Sequence, residues 1–245
     1  MNHPRLPDLR NLRDVGGLRT GDGRRVRSGV LLRSATPFFL DAPQAHALVE
    51  ELGVRTRVDL RSEVEIEELP NEHVSSLPHQ AVHLPLRAGG EWAHHTDPVD
   101  RHEAVAAHYA RYLRHSADSI TRIASLAADP GSAAMLVHCS AGKDRTGVAV
   151  AVLLSAAGVV HDEIVADYAR TREDLDAMLD QLRTLPAYKE RLAALPEESL
   201  TAAPRTMELF LAHLEAEYGG ATGYLTAHGV GGSVLDRLRG ALLEG

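Results

Sequence analysis

A cysteine and an arginine that could bind and attack phosphate lie in one short segment, residues 138–147, which read His-Cys-Ser-Ala-Gly-Lys-Asp-Arg-Thr-Gly. Cys139 is the only cysteine of the 245-residue chain, and Arg145 follows six positions later. The nucleophilic form of cysteine is the thiolate, which nearby cations or a helix N-terminus stabilise. The apolar run before the segment predicts a strand, and the one after it predicts a helix. We therefore expect a thiolate held against a phosphate group.

The segment also has the features of a phosphate cradle. The backbone N–H groups of residues 140–145 can turn inward as an anion-binding nest, and the next helix adds the positive end of its dipole. Arg145 offers a planar fork for two phosphate oxygens. Gly142 permits a tight turn, Thr146 places a hydroxyl beside the thiolate, and His138 supplies a supporting polar group. The alternative, that the cysteine only packs in a core, does not account for these neighbours.

Composition limits the class of protein. A net charge of −8 argues against a nucleic-acid partner, because binding a phosphate backbone requires a basic surface. A single cysteine allows no intrachain disulfide, which fits a reducing compartment. No apolar run reaches the roughly 20 residues that span a bilayer, and residues 1–13 are polar and contain proline, unlike a signal peptide. We expect a cytoplasmic protein with no integral membrane segment, with leaderless secretion and the oligomeric state left open.

The order of apolar and polar runs predicts one α/β domain over residues 1–245. Short apolar runs divided by a glycine turn predict two edge strands within residues 11–34, and further apolar runs predict strands over 54–60, 81–86 and 134–138. A helix over residues 41–53 separates the edge strands from the strand over 54–60, and strand–helix–strand order implies parallel pairing. The last run has no polar alternation, as expected for a central strand covered on both faces. The loop over residues 87–100 follows a strand, where a site would be assembled.

The rest of the chain is predicted to be helical. Helices are expected over residues 101–115, 117–128, 146–157, 161–170, 173–185, 187–195, 204–218, 221–228 and 233–243. Because the carboxyl-terminal part supplies helices and no strands, we expect it to pack over the sheet or to cover the cleft. Residues 170–205 are either a mobile lid over the cleft or a fixed amphipathic helix pair.

Residues 139–145 resemble the signature loop (P-loop) of the cysteine-dependent protein tyrosine phosphatases. The chain is similar, more narrowly, to the bacterial tyrosine and lipid phosphatases in residues 138–147 and in four further segments: 11–14 (Asn-Leu-Arg-Asp), 32–34 (Leu-Arg-Ser), 59–62 (Asp-Leu-Arg-Ser) and 167–168 (Asp-Tyr). The resemblance extends from about residue 9 to the C-terminus. It implies a central, mostly parallel sheet flanked by helices, and phosphomonoester hydrolysis that uses neither a metal nor a cofactor.

The resemblance also implies a two-step mechanism. Cys139 attacks phosphorus to form a cysteinyl-phosphate, which water then hydrolyses. Thr146 would hydrogen-bond the thiolate. The phosphate is bound by Ser140, Ala141, Gly142, Lys143, Asp144 and Arg145, which stabilise the oxygens that gain charge in the transition state. Phosphotyrosine proteins are the expected substrates. Phosphoinositides are the alternative, as is a phosphate-binding pseudophosphatase that lacks a general acid.

The general acid has more than one candidate. The similar family places an aspartate shortly after the strand that corresponds to residues 81–86, but here residues 85–90 read Pro-Leu-Arg-Ala-Gly-Gly. Asp97 and Asp100 lie further along that loop, and Asp144 lies inside the signature loop. An aspartate just before a helix is also a favoured N-cap. The two cations that flank Asp144 favour its ionised form, which is a poor setting for a proton donor.

The remaining polar residues have both structural and functional interpretations. Lys143 either attracts a substrate phosphate or is a solvated charge that offsets its acidic neighbour. The structural interpretation is favoured for the polar residues predicted to brace the loop, which are Asn11, Arg13, Asp14, Asp59 and Arg61. The histidine-rich stretch with Asp97, which includes His94, His95 and His102, lacks zinc-site spacing, so no metal site is predicted.

Overall fold

The computed structural model describes residues 6–89, 101–193 and 200–245. Within them the chain forms a five-stranded sheet that is packed between helices. The strands are β1 (Arg13–Asp14), β2 (Leu31–Ser34), β3 (Thr56–Asp59), β4 (Gln80–His83) and β5 (Met135–His138). Their order across the sheet is β1-β2-β5-β3-β4, with β1 antiparallel to β2 and all other neighbours parallel. The expected mostly parallel α/β sheet is confirmed.

The last strand along the chain is the middle strand of the sheet. All four residues of β5 are buried, and they alternate between two hydrophobic clusters on opposite faces. Leu136 packs with one cluster, whereas Met135 and Val137 pack with the other. This burial on both faces explains why the strand lacks polar alternation. His138 ends β5 in register with Ser34 on one side and Asp59 on the other, so the carboxyl ends of three strands meet there.

Two strands were expected at the edge of the sheet within residues 11–34, and β1 and β2 lie there and pair with each other. Residues 24–26, which were expected to begin the second strand, are not part of the sheet. Residues near Val26 form isolated bridges instead, Arg19 with Arg25 and Val26 with Leu243. The turn through Gly23 folds this segment back on its own preceding residues, so it cannot extend the sheet.

Helices fill the intervals between strands and the whole carboxyl-terminal part. The helices are α1 (Ala42–His46), which continues as a π-turn over Ala47–Glu51, α2 (Glu63–Glu68), α3 (Glu72–Ser75), α4 (Arg101–His115), α5 (Ala117–Ala127), α6 (Asp144–Ala156), α7 (His161–Ala169), α8 (Leu175–Arg183), α9 (Pro186–Ala193), α10 (Pro204–Tyr218), α11 (Gly220–Ala227) and α12 (Gly232–Leu242). The helices predicted beyond residue 160 begin and end within about two residues of those observed. No helix in the described parts of the chain has the length and apolar character needed to cross a membrane.

Candidate active site

The phosphate loop (residues 139–145) connects the end of β5 to the start of α6, as predicted. Its carbonyl groups are held by the surrounding scaffold. The carbonyl of Ser140 accepts from the backbone N–H of Thr36 at 3.0 Å, and that of Gly142 accepts from Arg33 at 2.8 Å and from Asn11 at 3.0 Å. In a trans peptide the next N–H points away from the carbonyl. The loop N–H groups that follow these carbonyls are therefore directed away from the scaffold, as an anion-binding nest requires.

Gly142 is required by both conformation and space. Its φ is +66°, in the left-handed region. A Cβ atom at this position would lie 2.3 Å from the carbonyl oxygen of Ser34. The loop thus passes directly over the end of β2, at a distance that no side chain permits.

An ion-pair network braces the loop from beneath. Arg33, which is buried, donates to Asp167 at 2.6 Å with one nitrogen and to the carbonyl of Gly142 with another. Arg13 donates to the other oxygen of Asp167, also at 2.6 Å. Burial alone would raise the pKa of Asp167, but the charges of the two arginines outweigh it and lower that pKa. The network fixes α7 to the loop, and it gives Arg13 and Asn11 the bracing role that was expected of them.

A second polar cluster supports the first residues of the loop. Arg61 donates to both carboxylate oxygens of Asp59, at 3.0 and 2.7 Å. Burial lowers the pKa of His138 to about 3, so its ring is neutral. Arg57 has only donors, and its side chain lies 3.3 Å from Nε2 of His138, which therefore accepts. The ring proton is then on Nδ1, which donates to the carbonyl of Cys139 at 3.3 Å.

Asp14 serves a turn and is not part of the site. Its carboxylate accepts from the backbone N–H groups of Gly16 and Gly29, at 2.8 and 2.7 Å. These two bonds hold the chain between β1 and β2. A structural role was expected for Asp14, although as a brace for the phosphate loop and not for this turn.

Arg145 is held in place by a carboxylate that the sequence did not single out. Its two terminal nitrogens donate to the two oxygens of Glu65, at 2.6 and 2.7 Å, and one of them also lies 3.2 Å from the hydroxyl of Ser140. Ser140 and Tyr188 in turn hydrogen-bond Glu65, at 2.6 and 3.1 Å. Burial would raise the pKa of Glu65, but the charge and hydrogen bonds of Arg145 hold that pKa well below its usual range. The guanidinium is therefore oriented before any phosphate arrives.

The only sequence signal for Glu65 was structural. Ser62 and Glu65 form a capping box at the start of α2, in which the Ser62 N–H donates to Glu65 at 2.9 Å and the Ser62 hydroxyl accepts from the Glu65 N–H. The spacing of a serine and a glutamate three residues later predicts this box. Nothing in it indicates the partner 80 residues away.

Asp144 lines the cavity and is hydrogen-bonded by a buried tyrosine. Its side chain is 29% exposed and lines the same cavity as Cys139. The hydroxyl of Tyr109 donates to it at 2.6 Å, and Tyr168 lies 2.8 Å from that hydroxyl. Burial, followed by the charge of Asp144, raises the pKa of Tyr109, so the phenol stays protonated. The N-cap interpretation of Asp144 is wrong, because Lys143 is the N-cap and Asp144 is already the first residue of α6.

Asp97 and Asp100, the other candidates for the general acid, lie outside the described residues. The same holds for His94 and His95 of the histidine-rich stretch. Among residues 6–89, 101–193 and 200–245, no group of three or more His, Cys, Asp or Glu side chains is arranged to hold a metal ion.

Two expectations for the loop are corrected. Lys143 is not a solvated charge: it is 3% exposed, and its Nζ donates to the carbonyl of Thr201 at 2.9 Å and lies 3.1 Å from Asp144. The segment before α10 covers it. The Thr146 hydroxyl does not hydrogen-bond the Cys139 sulfur; it is buried without a partner in the described part of the chain. Thr146 already lies in the first turn of α6, and that helix fixes its position.

A cavity of about 400 Å³ lies over the phosphate loop. Cys139, itself only 2% exposed, lines it together with Arg145, Glu65 and Asp144. Other loop residues also line it, and the opposite wall is largely apolar and comes from α8, α9 and Leu200. Among the described residues of 170–205, the predicted helix pair is therefore present and covers the loop.

Comparison with known proteins matches this site to one family. A family model described as the tyrosine phosphatase family matches residues 4–244. The chain belongs to that family. A Cupriavidus necator protein named as a tyrosine-protein phosphatase is 35% identical over 170 residues, which is 67% of this chain and 61% of that protein. The triple specificity protein phosphatase PtpB of Mycobacterium tuberculosis is 26% identical over 284 aligned positions, covering 97% of this chain and 98% of that one.

Other matches are partial or distant. A tyrosine-protein phosphatase of Nostoc commune is 32% identical over 54% of this chain and 46% of its own length. The chain thus spans about half to two thirds of two of these relatives. Among solved structures, Pseudomonas aeruginosa TpbA is 20% identical, with a TM-score of 0.32 over 72% of this chain and 87% of that one. The Siw14 catalytic core is 12% identical, with a TM-score of 0.39 over 76% and 87%.

Proposed function

We propose that this family member is a phosphomonoester hydrolase of the protein tyrosine phosphatase type, which acts through a cysteinyl-phosphate on Cys139. The observation that carries the proposal is the convergence on one cavity of Cys139, the oriented guanidinium of Arg145 and Asp144. Each supplies a distinct requirement of phosphoryl transfer: a nucleophile, a stabiliser of equatorial charge and a proton donor. Phosphotyrosine proteins are the proposed substrates.

The chemistry balances with these groups alone, so the proposed mechanism contains no metal step. The Cys139 thiolate forms an S–P bond as the ester P–O bond breaks, and the leaving oxygen takes a proton from Asp144. A water molecule then attacks phosphorus, gives a proton back to Asp144, and releases phosphate and the thiolate. Arg145 and the loop N–H groups stabilise the charge that spreads over the equatorial oxygens in both steps.

The environment of the loop supports catalysis over mere binding. A pseudophosphatase would lack an acid beside the cradle, whereas Asp144 lines the cavity and is positioned by Tyr109. We also propose that α8 and α9 act as a lid, because they cover a nucleophile that is almost fully buried. A sole cysteine that must stay a thiolate fits a reducing compartment, so the cytoplasm is the proposed location.

The test is turnover of an aryl phosphate by the wild type and by Cys139→Ser. We expect turnover in the wild type, inhibition by vanadate, no effect of a chelator, and no turnover in the variant. Acid quenching should trap a phosphoenzyme in the wild type only. Turnover that survives the serine substitution, or that a chelator abolishes, would overturn the mechanism.

The role of Arg145 has its own test with a matched control. Arg145→Lys keeps the charge but loses the planar fork, and we expect kcat/KM to fall by about 10² to 10³. Arg19→Lys is the control, because Arg19 is exposed and pairs with Glu163, away from the cavity. Its kcat/KM should stay within about twofold of wild type. Equal rates in the two variants would remove Arg145 from the proposed role.

A further inference from the structure

The cavity over Cys139 has apolar walls. Six aliphatic or thioether side chains line it from α8, α9 and the segment before α10: Leu175, Met178, Leu179, Leu182, Leu192 and Leu200. Those from α8 are spaced at i, i+3, i+4 and i+7, so they form the apolar stripe of an amphipathic helix. The stripe packs into a buried hydrophobic cluster with Ala35 and Leu69, and it also forms part of the wall of the space that contains the nucleophile.

The volume of the cavity exceeds what one aromatic ring needs. An apolar cavity of about 150 Å³ is sufficient to bind benzene. The cavity over the phosphate loop measures about 400 Å³, part of which the phosphate group itself would take. An apolar group larger than a tyrosine ring therefore fits against the stripe of α8.

The charges around the cavity suit a single phosphate. Its described lining contains two cations, Lys143 and Arg145, and two carboxylates, Glu65 and Asp144. Each cation contacts a carboxylate: Arg145 meets Glu65 at 2.6 Å, and Lys143 meets Asp144 at 3.1 Å. A headgroup with several phosphates would need further cations at hydrogen-bonding distance. Within the described lining, both cations are already paired with carboxylates, so no further cation is present to bind a second phosphate group.

We propose that this site also accepts phosphomonoesters with one phosphate and an extended apolar group, such as a long alkyl or acyl chain. The phosphate would bind at the phosphate loop, and the chain would lie along Leu175, Met178 and Leu179 of α8. This inference rests on the proposed function. It adds a substrate class that binds through one phosphate group and one apolar chain. The chain, and not a second phosphate group, supplies the binding energy beyond that of the phosphate loop.

The experiment measures inhibition of aryl phosphate turnover by n-alkylphosphonates from two to ten carbons, each kept below the concentration at which it forms micelles. Burial of each methylene should lower the inhibition constant by up to about fourfold, until the chain fills the cavity. Vanadate, which has no chain, reports on the phosphate cradle alone. Soluble inositol phosphates with two or three phosphate groups test the charge argument.

Substitutions in the cavity wall test where the alkyl chain binds. Leu179→Gln and Leu192→Gln each place an amide in the cavity wall, one on α8 and one on α9, and we expect the dependence on chain length to flatten in both. Leu185→Gln is the matched control, because Leu185 packs in the same hydrophobic cluster without lining the cavity. It should keep the wild-type dependence. Using two wall variants on different helices retains the test if one of them fails to fold.

The outcomes separate the two proposals. If vanadate inhibits and aryl phosphate is turned over, but chain length has no effect or an inositol polyphosphate inhibits more strongly than decylphosphonate, the substrate inference fails and the hydrolase remains. The inference also fails if Leu185→Gln flattens the series as much as the wall variants do. If the wild type turns over no aryl phosphate, the proposed function itself fails.

Discussion

Two carboxylates share the cavity, and their contacts assign them different tasks. Glu65 is held by both terminal nitrogens of Arg145 and by two hydroxyls, so its pKa lies far below the range in which it could carry a proton. Asp144 receives a hydrogen bond from Tyr109 and is partly exposed to the cavity. Pairs of acidic groups in unlike environments commonly divide such roles. Glu65 therefore positions Arg145, and Asp144 is the residue that we propose as the proton donor.

Removing the Tyr109 hydroxyl should affect the acid and leave the nucleophile intact. In Tyr109→Phe, Asp144 loses the hydrogen bond at 2.6 Å that orients its side chain toward the cavity. We expect kcat for unsubstituted phenyl phosphate to fall about tenfold or more, because its leaving group needs a proton. For p-nitrophenyl phosphate, whose leaving group does not, kcat should fall by less than about threefold. Steady-state kinetics and a pH–rate profile with both substrates check this.

The control for that prediction is Tyr224→Phe. Tyr224 is equally buried, but its hydroxyl donates to the carbonyl of Leu113, away from the site. In this variant, kcat should change by the same factor for phenyl phosphate and for p-nitrophenyl phosphate. A Tyr109→Phe variant that lost the same factor on both substrates would show that the hydroxyl only supports packing.

At the scale of elements, one hydroxyl ties α9 to the phosphate loop. Tyr188 of α9 lies 2.7 Å from the hydroxyl of Ser140 and donates to Glu65 at 3.1 Å. The helix before it, α8, faces the loop with apolar side chains in the cavity wall. These polar contacts fix the position of α9 relative to the loop, which apolar packing alone would not specify.

Loss of this tether should loosen α9 selectively. In Tyr188→Phe the helix loses hydrogen bonds worth about 1 to 2 kcal/mol, so amide hydrogen exchange over Pro186–Ala193 should accelerate roughly five- to thirtyfold. Exchange in β5 should not change. The comparison variant is Tyr218→Phe, on α10, which should leave α9 as in wild type. Equal acceleration in α9 and β5 would mean that the substitution destabilises the whole fold instead.

At the scale of the whole molecule, stability depends on the protonation states of buried groups near the carboxyl ends of the strands. Asp59 and Asp167 are ionised and paired with arginines, and His138 is buried and neutral. Groups of this kind link the loop to β2, β3 and α7 at once. Their protonation therefore affects the sheet as a unit.

Acid should begin to destabilise the protein at pH values well above those at which carboxylates ordinarily bind protons. His138 has a pKa of about 3 in the folded protein, set by burial, and about 6.5 when unfolded. Between these values the unfolded chain binds the extra proton, so stability is complete above about pH 6.5 and is lost as the pH falls toward 3. One such group changes the unfolding free energy by up to about 1.4 kcal/mol per pH unit.

Denaturant unfolding between pH 7 and pH 4 measures this slope. His108, whose pKa burial lowers to about 4, adds to it in the same direction. His138→Gln should remove up to about 1.4 kcal/mol per pH unit from the slope, whereas His73→Gln, at an exposed position, should not. An unchanged slope in the first variant would mean that His138 does not remain neutral in the folded protein.

What could be predicted from the sequence was local. The strand–loop–helix around Cys139 and the helices after residue 160 follow from periodicity and from turn residues, which act within a few positions. Glu65, Tyr109 and Tyr188 were missed because each reaches the site across a long stretch of chain, and their own segments give no sign of it. The burial of Lys143 depends in the same way on the distant segment at Thr201.

The fit of Gly142 over the end of β2 limits how this protein can vary. A gene library that randomised residues 140–143 and was selected for folded, active protein should recover glycine alone at position 142, since a Cβ there meets the Ser34 carbonyl at 2.3 Å. Position 142 is therefore closed to inherited or engineered change. The apolar side chains of α8 that line the cavity lie outside the loop, and they are where such a lineage could acquire new specificity.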